Sequence, residues 1–103
     1  MSPQERAFRS ELAQLVSQRG LIRGSLLVRR RACGKPNCRC ARGEGHQSLY
    51  LVVRQGGRAR QLFVPKSHEA IVRRWVADYH TVRRLLDEIS ALYWDKVRQR
   101  QEG

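Results

Sequence analysis

Apolar residues recur at helical spacing near the start of the chain. Ser2 can cap a helix there with Pro3 in its first position, and Arg19-Gly20 ends it. We therefore predict a helix over residues 1–18 whose apolar side packs in a core. The apolar residues on that side are Phe8, Leu12, Leu15 and Val16.

A broader apolar stripe follows Pro65. Ser67 can cap a second helix and Glu69 suits its positive end, so we predict a helix over residues 67–98 and a disordered tail over 99–103. Roughly thirty residues make a rod of about 45 Å, longer than a small sheet can cover. We therefore predict that the stripe mediates self-association as a homodimer. In a monomer, Tyr93-Trp94 would be left exposed as the anchor of that contact. The self-association residues are Trp75, Tyr79, Val82, Leu85, Leu86, Ile89, Leu92 and Tyr93.

Between the helices the pattern changes to the alternation of strands. A first strand begins at Leu21 and turns Ile22, Leu26 and Val28 to the core. Further strands follow over 48–54 and 58–64, and the glycines between them indicate a tight turn. The prediction is an α+β fold in a single domain, 1–103, with a three-stranded antiparallel sheet between an N-terminal helix and a long C-terminal helix.

The sheet region holds the most distinctive chemistry of the chain. All three cysteines and one of the three histidines fall between Cys33 and His46. Zinc prefers four thiolate or imidazole ligands in a tetrahedron, and this spacing supplies three thiolates and one imidazole on a short loop. We predict a zinc-knuckle-like loop that holds one Zn²⁺ per chain. Its ligands are Cys33, Cys38, Cys40 and His46.

Two other uses of these cysteines stay open. Reduced structural thiols are the first, because the spacing Cys38-x-Cys40 is less usual for zinc than a two-residue gap. An iron–sulfur or redox site is the second, although an iron–sulfur cluster normally needs a fourth cysteine. The fourth zinc ligand also has an alternative, since His68 can replace His46.

Three runs of sequence carry a resemblance to a known family. They are Ile22-Arg23-Gly24-Ser25-Leu26, the segment Cys33 to His46, and the residues from Arg58 to Lys66 that include Val64-Pro65-Lys66. Over most of its length the chain resembles a family of small uncharacterised prokaryotic proteins that are often found near mobile-element genes. The resemblance implies a shared fold and leaves the activity open. Such proteins usually carry aromatic residues after the histidine, where this chain has Gln47-Ser48-Leu49-Tyr50, so base stacking there is less expected.

Charge is distributed very unevenly along the chain. The net charge is +12 and the isoelectric point about 11.2. Residues 19–66 contain twelve Lys and Arg and one acid, Glu44, so this segment carries +11 of the excess. Surfaces of soluble proteins normally mix positive and negative charges, so a basic face that is only solvated is the less favoured interpretation. We favour a surface that binds a polyanion.

We therefore predict that the middle segment binds nucleic acid, with DNA favoured over RNA. Arginine serves both, and the aromatic signature of RNA-binding sheets is missing from the sequence. Arg58 and Arg60 lie near the hairpin turn, where a ribbon entering a major groove would read guanine edges. The predicted contact residues are Arg29, Arg30, Arg31, Lys35, Arg39, Arg42, Arg54, Arg58, Arg60 and Lys66.

Three alternatives complete the functional reading. The chain can be an RNA-binding protein, or an assembly subunit that docks through its long helix onto a recombinase, transposase or other nucleoprotein complex. An enzyme is the weakest class, because Glu44 is the one carboxylate in residues 19–66 and no phosphate-cradling glycine loop is present. No apolar run approaches a membrane span and no apolar signal region follows Met1, so a cytoplasmic protein is expected.

Overall fold

The computed structural model describes residues 1–31 and 46–102, and at Arg31, His46, Gln101 and Glu102 it describes the backbone alone. The chain forms an N-terminal helix, a three-stranded antiparallel sheet and a long C-terminal helix in that order, which confirms the predicted α+β architecture. In chain order the elements are α1 (Pro3–Gln18), β1 (Ser25–Arg31), β2 (His46–Gln55), β3 (Arg58–Val64) and α2 (Glu69–Glu102).

The chain divides into two compact units, and the division falls within α2. The helical unit comprises Met1–Ile22 and Ala77–Gly103, and the sheet unit comprises Arg23–Val76. Leu49, Val64 and Val76 are the buried apolar residues of the sheet unit, and Val82, Leu85 and Ile89 are those of the helical unit. Each unit therefore contributes its own small set of buried side chains among the described residues.

The sheet has the strand order β1-β2-β3 and a tight turn between its last two strands. Gly56 and Gly57 both have positive φ, 60° and 78°, and a Cβ at either would meet nothing within 4 Å. Two central residues with positive φ are typical of the two-residue hairpin turns whose twist matches that of the strands. The turn predicted from the sequence is thereby confirmed.

Strand register assigns each residue of the sheet to one of two faces, because side chains alternate along a strand and directly paired residues share a face. Leu49 pairs with Val28 on one side and with Val64 on the other. Leu49 and Val64 are 2% and 3% exposed, so this inner face is the one that turns to the core. The outer face consists of Ser25, Leu27, Arg29, Ser48, Tyr50, Val52, Arg54, Ala59, Gln61 and Phe63, together with the positions of Arg31 and His46.

The first strand is shorter than the alternation predicted. It begins at Ser25, so Leu21 and Ile22 lie before the sheet. Gly24 precedes it, and a Cβ there would lie 3.0 Å from the Val52 carbonyl oxygen on β2. A side chain at this position would require the β2 backbone to shift by a few tenths of an ångström, so glycine suits the close approach of the two segments.

Helix α1 is capped as predicted but buries a residue to which the sequence assigned no role. The Ser2 hydroxyl accepts a hydrogen bond from the Glu5 amide at 3.1 Å. The buried residue of this helix is Glu5 itself, 1% exposed, whereas Val16 is 56% exposed. Its carboxylate accepts hydrogen bonds from Arg9 at 2.7 Å and from the Tyr93 hydroxyl of α2 at 2.9 Å. A polar cluster therefore joins α1 to the C-terminal part of α2 within the helical unit.

Helix α2 differs from the prediction at both ends. It starts at Glu69, after a 3₁₀ turn over Lys66–His68 in which the His68 amide donates to the Pro65 carbonyl at 2.9 Å. Ser67 lies inside that turn and is not the cap. The helix continues to Glu102, so the predicted tail over 99–102 is helical, which the good helix formers Arg and Gln favour. Its 34 residues make a rod of about 51 Å.

Candidate nucleic-acid interface

The two faces of the sheet separate the predicted contact residues. The consecutive arginines of β1 alternate, so Arg29 is on the outer face and Arg30 on the inner one. These two predicted contacts therefore lie on opposite faces of the sheet. The outer face also has Arg54, the inner face has Arg58 and Arg60, and Lys66 lies in the 3₁₀ turn after β3. Lys35, Arg39 and Arg42 lie outside the described residues.

A cluster of four side chains occupies the outer face, which we call the aromatic–arginine cluster: Arg29, Tyr50, Gln61 and Phe63. Tyr50 and Phe63 pair directly across β2 and β3, and their rings meet edge to face with centroids 5.8 Å apart. The guanidinium carbon of Arg29 lies 5.2 Å from the Tyr50 ring centroid, which is a cation–π contact. Arg29 reaches across β2 and donates to the Gln61 side-chain oxygen at 2.8 Å.

Sequence reasoning missed this cluster, because it looked for aromatic residues directly after the histidine. Tyr50 and Phe63 are thirteen positions apart in the sequence. Only the register of β2 and β3 brings their rings together. The signal that was present in the sequence is the length of the hairpin, since a two-glycine turn after Gln55 fixes which residues pair.

The hairpin tip carries a second group of cations. Arg60 donates to the Gln55 side-chain oxygen at 3.2 Å, and the guanidinium of Arg23 donates to the Arg54 carbonyl. Arg58 pairs with Gln55 directly across the turn and is exposed. Arginines from the strand entrance and from both sides of the turn are therefore presented at one end of the sheet.

Positive charge on the sheet is not balanced by nearby acids in the sequence. Residues 23–31 and 46–66 contain eight Arg and Lys and no Asp or Glu. The ion pairs of Arg9 and Lys96 with Glu5 lie in the helical unit instead. This excess of cations makes the electrostatic potential of the sheet region positive.

A cleft of about 620 Å³ adjoins the aromatic–arginine cluster at the other end of the sheet. Phe63 belongs to both the cluster and the cleft. Lys66 and Glu69 contribute charged groups to the cleft, and Ser48 contributes a hydroxyl from the outer face. Polar groups that can bond the edge of a ligand therefore lie beside an exposed ring.

The predicted zinc ligands Cys33, Cys38 and Cys40 lie outside the described residues, and of His46 only the backbone is described. Within residues 1–31 and 46–102, no group of three or more potential ligands is placed to hold a metal. Arg31 pairs directly with His46. The two strands that flank the cysteine segment therefore meet at its base, which suits a short metal-binding loop. His68 follows β3 at the same end of the sheet as the backbone of His46.

The predicted self-association stripe is partly used by the chain itself. Val82, Leu85 and Ile89 are buried, and the Tyr93 hydroxyl bonds Glu5. Trp75, Tyr79 and Leu92 are half-buried. Helix α2 leaves five large apolar side chains exposed: Ile71 and Tyr93 by 42% each, and Leu86, Trp94 and Val97 by 52%, 71% and 53%. Trp94 and Val97 lie about one helical turn apart and line a hollow together with Ser90 and Tyr93.

A family model for a domain of unknown function, DUF6788, matches residues 3–74. The chain belongs to this family. No curated protein and no solved structure matches the chain. The matched range contains α1, the sheet, the cysteine segment and every predicted nucleic-acid contact, and it ends one residue before the predicted self-association stripe.

Among the residues that the structure describes, no helix combines the length and the apolar character needed to cross a membrane.

Proposed function

We propose that this DUF6788 protein binds nucleic acid through its basic sheet and has no catalytic role. The observation that carries the proposal is the charge of the sheet: eight cations and no carboxylate over residues 23–31 and 46–66. Phosphate contacts supply most of the affinity of a nucleic-acid-binding protein, and arginine fits a phosphate with two parallel hydrogen bonds. DNA is the favoured polymer, with RNA as the alternative.

The matched range includes all ten predicted contact residues. The resemblance to proteins near mobile-element genes extends the proposal to a biological role. In that role the protein is a cytoplasmic accessory factor of a mobile-element or other nucleoprotein complex.

A pair of matched double variants tests the proposal. Arg58→Ala with Arg60→Ala removes two exposed cations from the sheet, and Arg83→Ala with Arg84→Ala removes two exposed cations from α2. Both variants lower the net charge equally. The sheet variant is expected to reduce the slope of log affinity against log salt by about 1.8 on duplex DNA, from about 0.9 per lost phosphate contact.

The helix variant is the control and should keep the wild-type slope. Fluorescence anisotropy with a labelled duplex over a series of salt concentrations measures both. Equal changes in the two variants would show that overall charge, and not the sheet, governs binding.

A second candidate function is assembly through α2. The exposed Leu86, Trp94 and Val97 favour it, because a monomer gains nothing from leaving a tryptophan 71% exposed beside other apolar side chains. In this reading α2 docks onto a second copy or a nucleoprotein partner while the sheet binds nucleic acid. The two roles are compatible, since they use different residues.

We further propose one Zn²⁺ per chain, held by Cys33, Cys38, Cys40 and His46. The ligand spacing supports it, and so does the pairing of Arg31 with His46 at the base of the cysteine segment. A structural metal would stabilise a domain with few buried apolar residues. Reduced structural cysteines remain the alternative.

Native mass spectrometry tests the metal proposal. Purified protein should carry one zinc, Cys40→Ser should lose it together with thermal stability, and chelation should unfold the sheet. Comparison of His46→Ala with His68→Ala identifies the fourth ligand. A fully folded protein without metal, or unchanged zinc content in Cys40→Ser, would refute the site.

A further inference from the structure

We infer that the outer face of the sheet is a binding site for unpaired bases, with Phe63 as the stacking surface. This inference rests on the proposed function and names the form of nucleic acid that the sheet recognises. The ligand class is single-stranded nucleic acid. Its bases stack on the ring and its phosphates meet the surrounding arginines.

Exposure distinguishes Phe63 from an ordinary core residue. Its side chain is 53% exposed, whereas the next residue of β3, Val64, belongs to the inner face and is only 3% exposed. Phe63 therefore contributes little to the core. An exposed aromatic ring on a sheet face offers a flat surface to any base, because every base has a π face.

The neighbours of Phe63 hold the ring in place. Tyr50 meets it edge to face at a centroid distance of 5.8 Å, an arrangement that aromatic pairs prefer. Arg29 covers the Tyr50 ring at 5.2 Å and is itself fixed by Gln61 at 2.8 Å. Tyr50 thus holds the Phe63 ring in position from the side, and the face of the Phe63 ring is the one left open to a ligand.

Charge complementarity selects a nucleic acid as the occupant. Arg29 carries five N–H donors, so one guanidinium can bond Gln61 and also hold a phosphate oxygen. Lys66 and Glu69 share the adjoining cleft with Phe63, so one acid lies there, but no Asp or Glu occurs in the three strands themselves. An apolar partner protein would gain nothing from these cations.

The base must be unpaired to use this site. In a duplex each base is stacked on both sides and shows only its edges in the grooves, so a ring on a sheet face has nothing to stack on. Ser48 and Gln61 are placed to bond the edge of an exposed base. The outer face therefore favours single strands, while the hairpin tip remains suited to phosphate contacts of either form.

The test compares two strands of equal charge. An oligothymidylate of about twelve nucleotides, a typical length for one sheet domain, is compared with an abasic strand of the same phosphate number. Wild-type protein should bind the oligothymidylate about tenfold more tightly, the usual order of effect for a stacked base. Phe63→Leu, which keeps an apolar side chain without a π face, should lose most of that preference.

Leu62→Ala is the matched control, because Leu62 is the preceding residue of β3, 65% exposed, and belongs to the inner face. It should keep the preference for bases. Equal affinity of the wild type for the two strands, or an unchanged preference in Phe63→Leu, would overturn the stacking site. If both strands still bind with steep salt dependence, the proposed function survives. If neither strand nor a duplex binds at low salt, both proposals fail.

Discussion

Glu5 is the one charged side chain that α1 buries, and three groups surround its carboxylate. Arg9 bonds it from the same helix, the Tyr93 hydroxyl bonds it from α2, and the Lys96 ammonium lies 3.7 Å away. The hydrogen bond from Arg9 is the main reason that the pKa of Glu5 falls below its ordinary value of 4.5; burial opposes this and Tyr93 adds to it. The ionised form is therefore the one that the fold stabilises.

This predicts a pH-dependent share of stability. Because the folded pKa of Glu5 is lowered, the stabilisation is complete above pH 4.5 and is lost as the pH falls further through the folded value. Thermal unfolding between about pH 7 and pH 3 should show a smaller loss of melting temperature for Glu5→Gln than for the wild type. Glu11→Gln, on an exposed residue of the same helix, should keep the wild-type profile. A wild-type profile in Glu5→Gln would show that the cluster adds nothing.

Gly56 sets the hairpin on which the aromatic–arginine cluster depends. Its φ of 60° lies in the left-handed region, and a Cβ there has open space around it. A substitution is therefore opposed by backbone strain alone. Gly56→Val is expected to destabilise the protein by about 1–2 kcal/mol.

Asparagine tolerates the same conformation, so Gly56→Asn is the matched control. It should lower the free energy of unfolding by only about a few tenths of a kcal/mol. Urea unfolding of the two variants measures the difference. Similar destabilisation by both would mean that the turn does not require the left-handed conformation.

At the scale of elements, the sequence predicted the helices, the strands and the turn well. Helical periodicity and strand alternation are local signals, and they placed α1, β2, β3 and α2 within a few residues. They also put Leu26 and Val28 on one face of β1 and Arg29 on the other, as the register has them. The position of Phe63 beside Tyr50 follows from the register across the hairpin, which alternation within a single strand does not report. Glu5 illustrates the same limit, because its burial depends on Tyr93, 88 positions away. The prediction that Ser67 caps α2 was also wrong, because Ser67 lies in a 3₁₀ turn that precedes the helix.

The exposed apolar side of α2 is the part of the molecule that tests the self-association proposal. Leu85 and Ile89 belong to the chain's own core, so changing them would unfold the protein before it reported on self-association. Trp94 is the better probe, since it is 71% exposed.

Trp94→Gln should weaken a homodimer by about 2 kcal/mol or more, the usual effect of removing a tryptophan at the centre of an interface. Arg98→Gln, one turn further along α2 and exposed, is the control and should leave assembly unchanged. Sedimentation velocity over a range of concentrations measures both. A wild-type protein that stays monomeric at high concentration would end the self-association proposal.

For the whole molecule, the distribution of charge follows the division of the chain into the helical unit and the sheet unit. The basic residues concentrate in the sheet unit, whereas the helical unit pairs its charges, as with Arg9 and Glu5. The family match ends at residue 74, close to the point within α2 where the units divide. Composition alone leads to the proposal of a polyanionic partner, because the net charge of a segment does not depend on the fold. Whether the polyanion is paired or single-stranded could not be read from it, since that depends on which side chains share a face.

The central claim is that the sheet binds nucleic acid mainly through phosphate, and the salt dependence of binding tests it most directly. Fluorescence anisotropy of the wild-type protein with a labelled duplex gives log affinity as a function of log salt concentration. About six phosphate contacts predict a slope of about −5, from roughly −0.9 per contact. No retention of DNA or RNA at low salt would contradict the account.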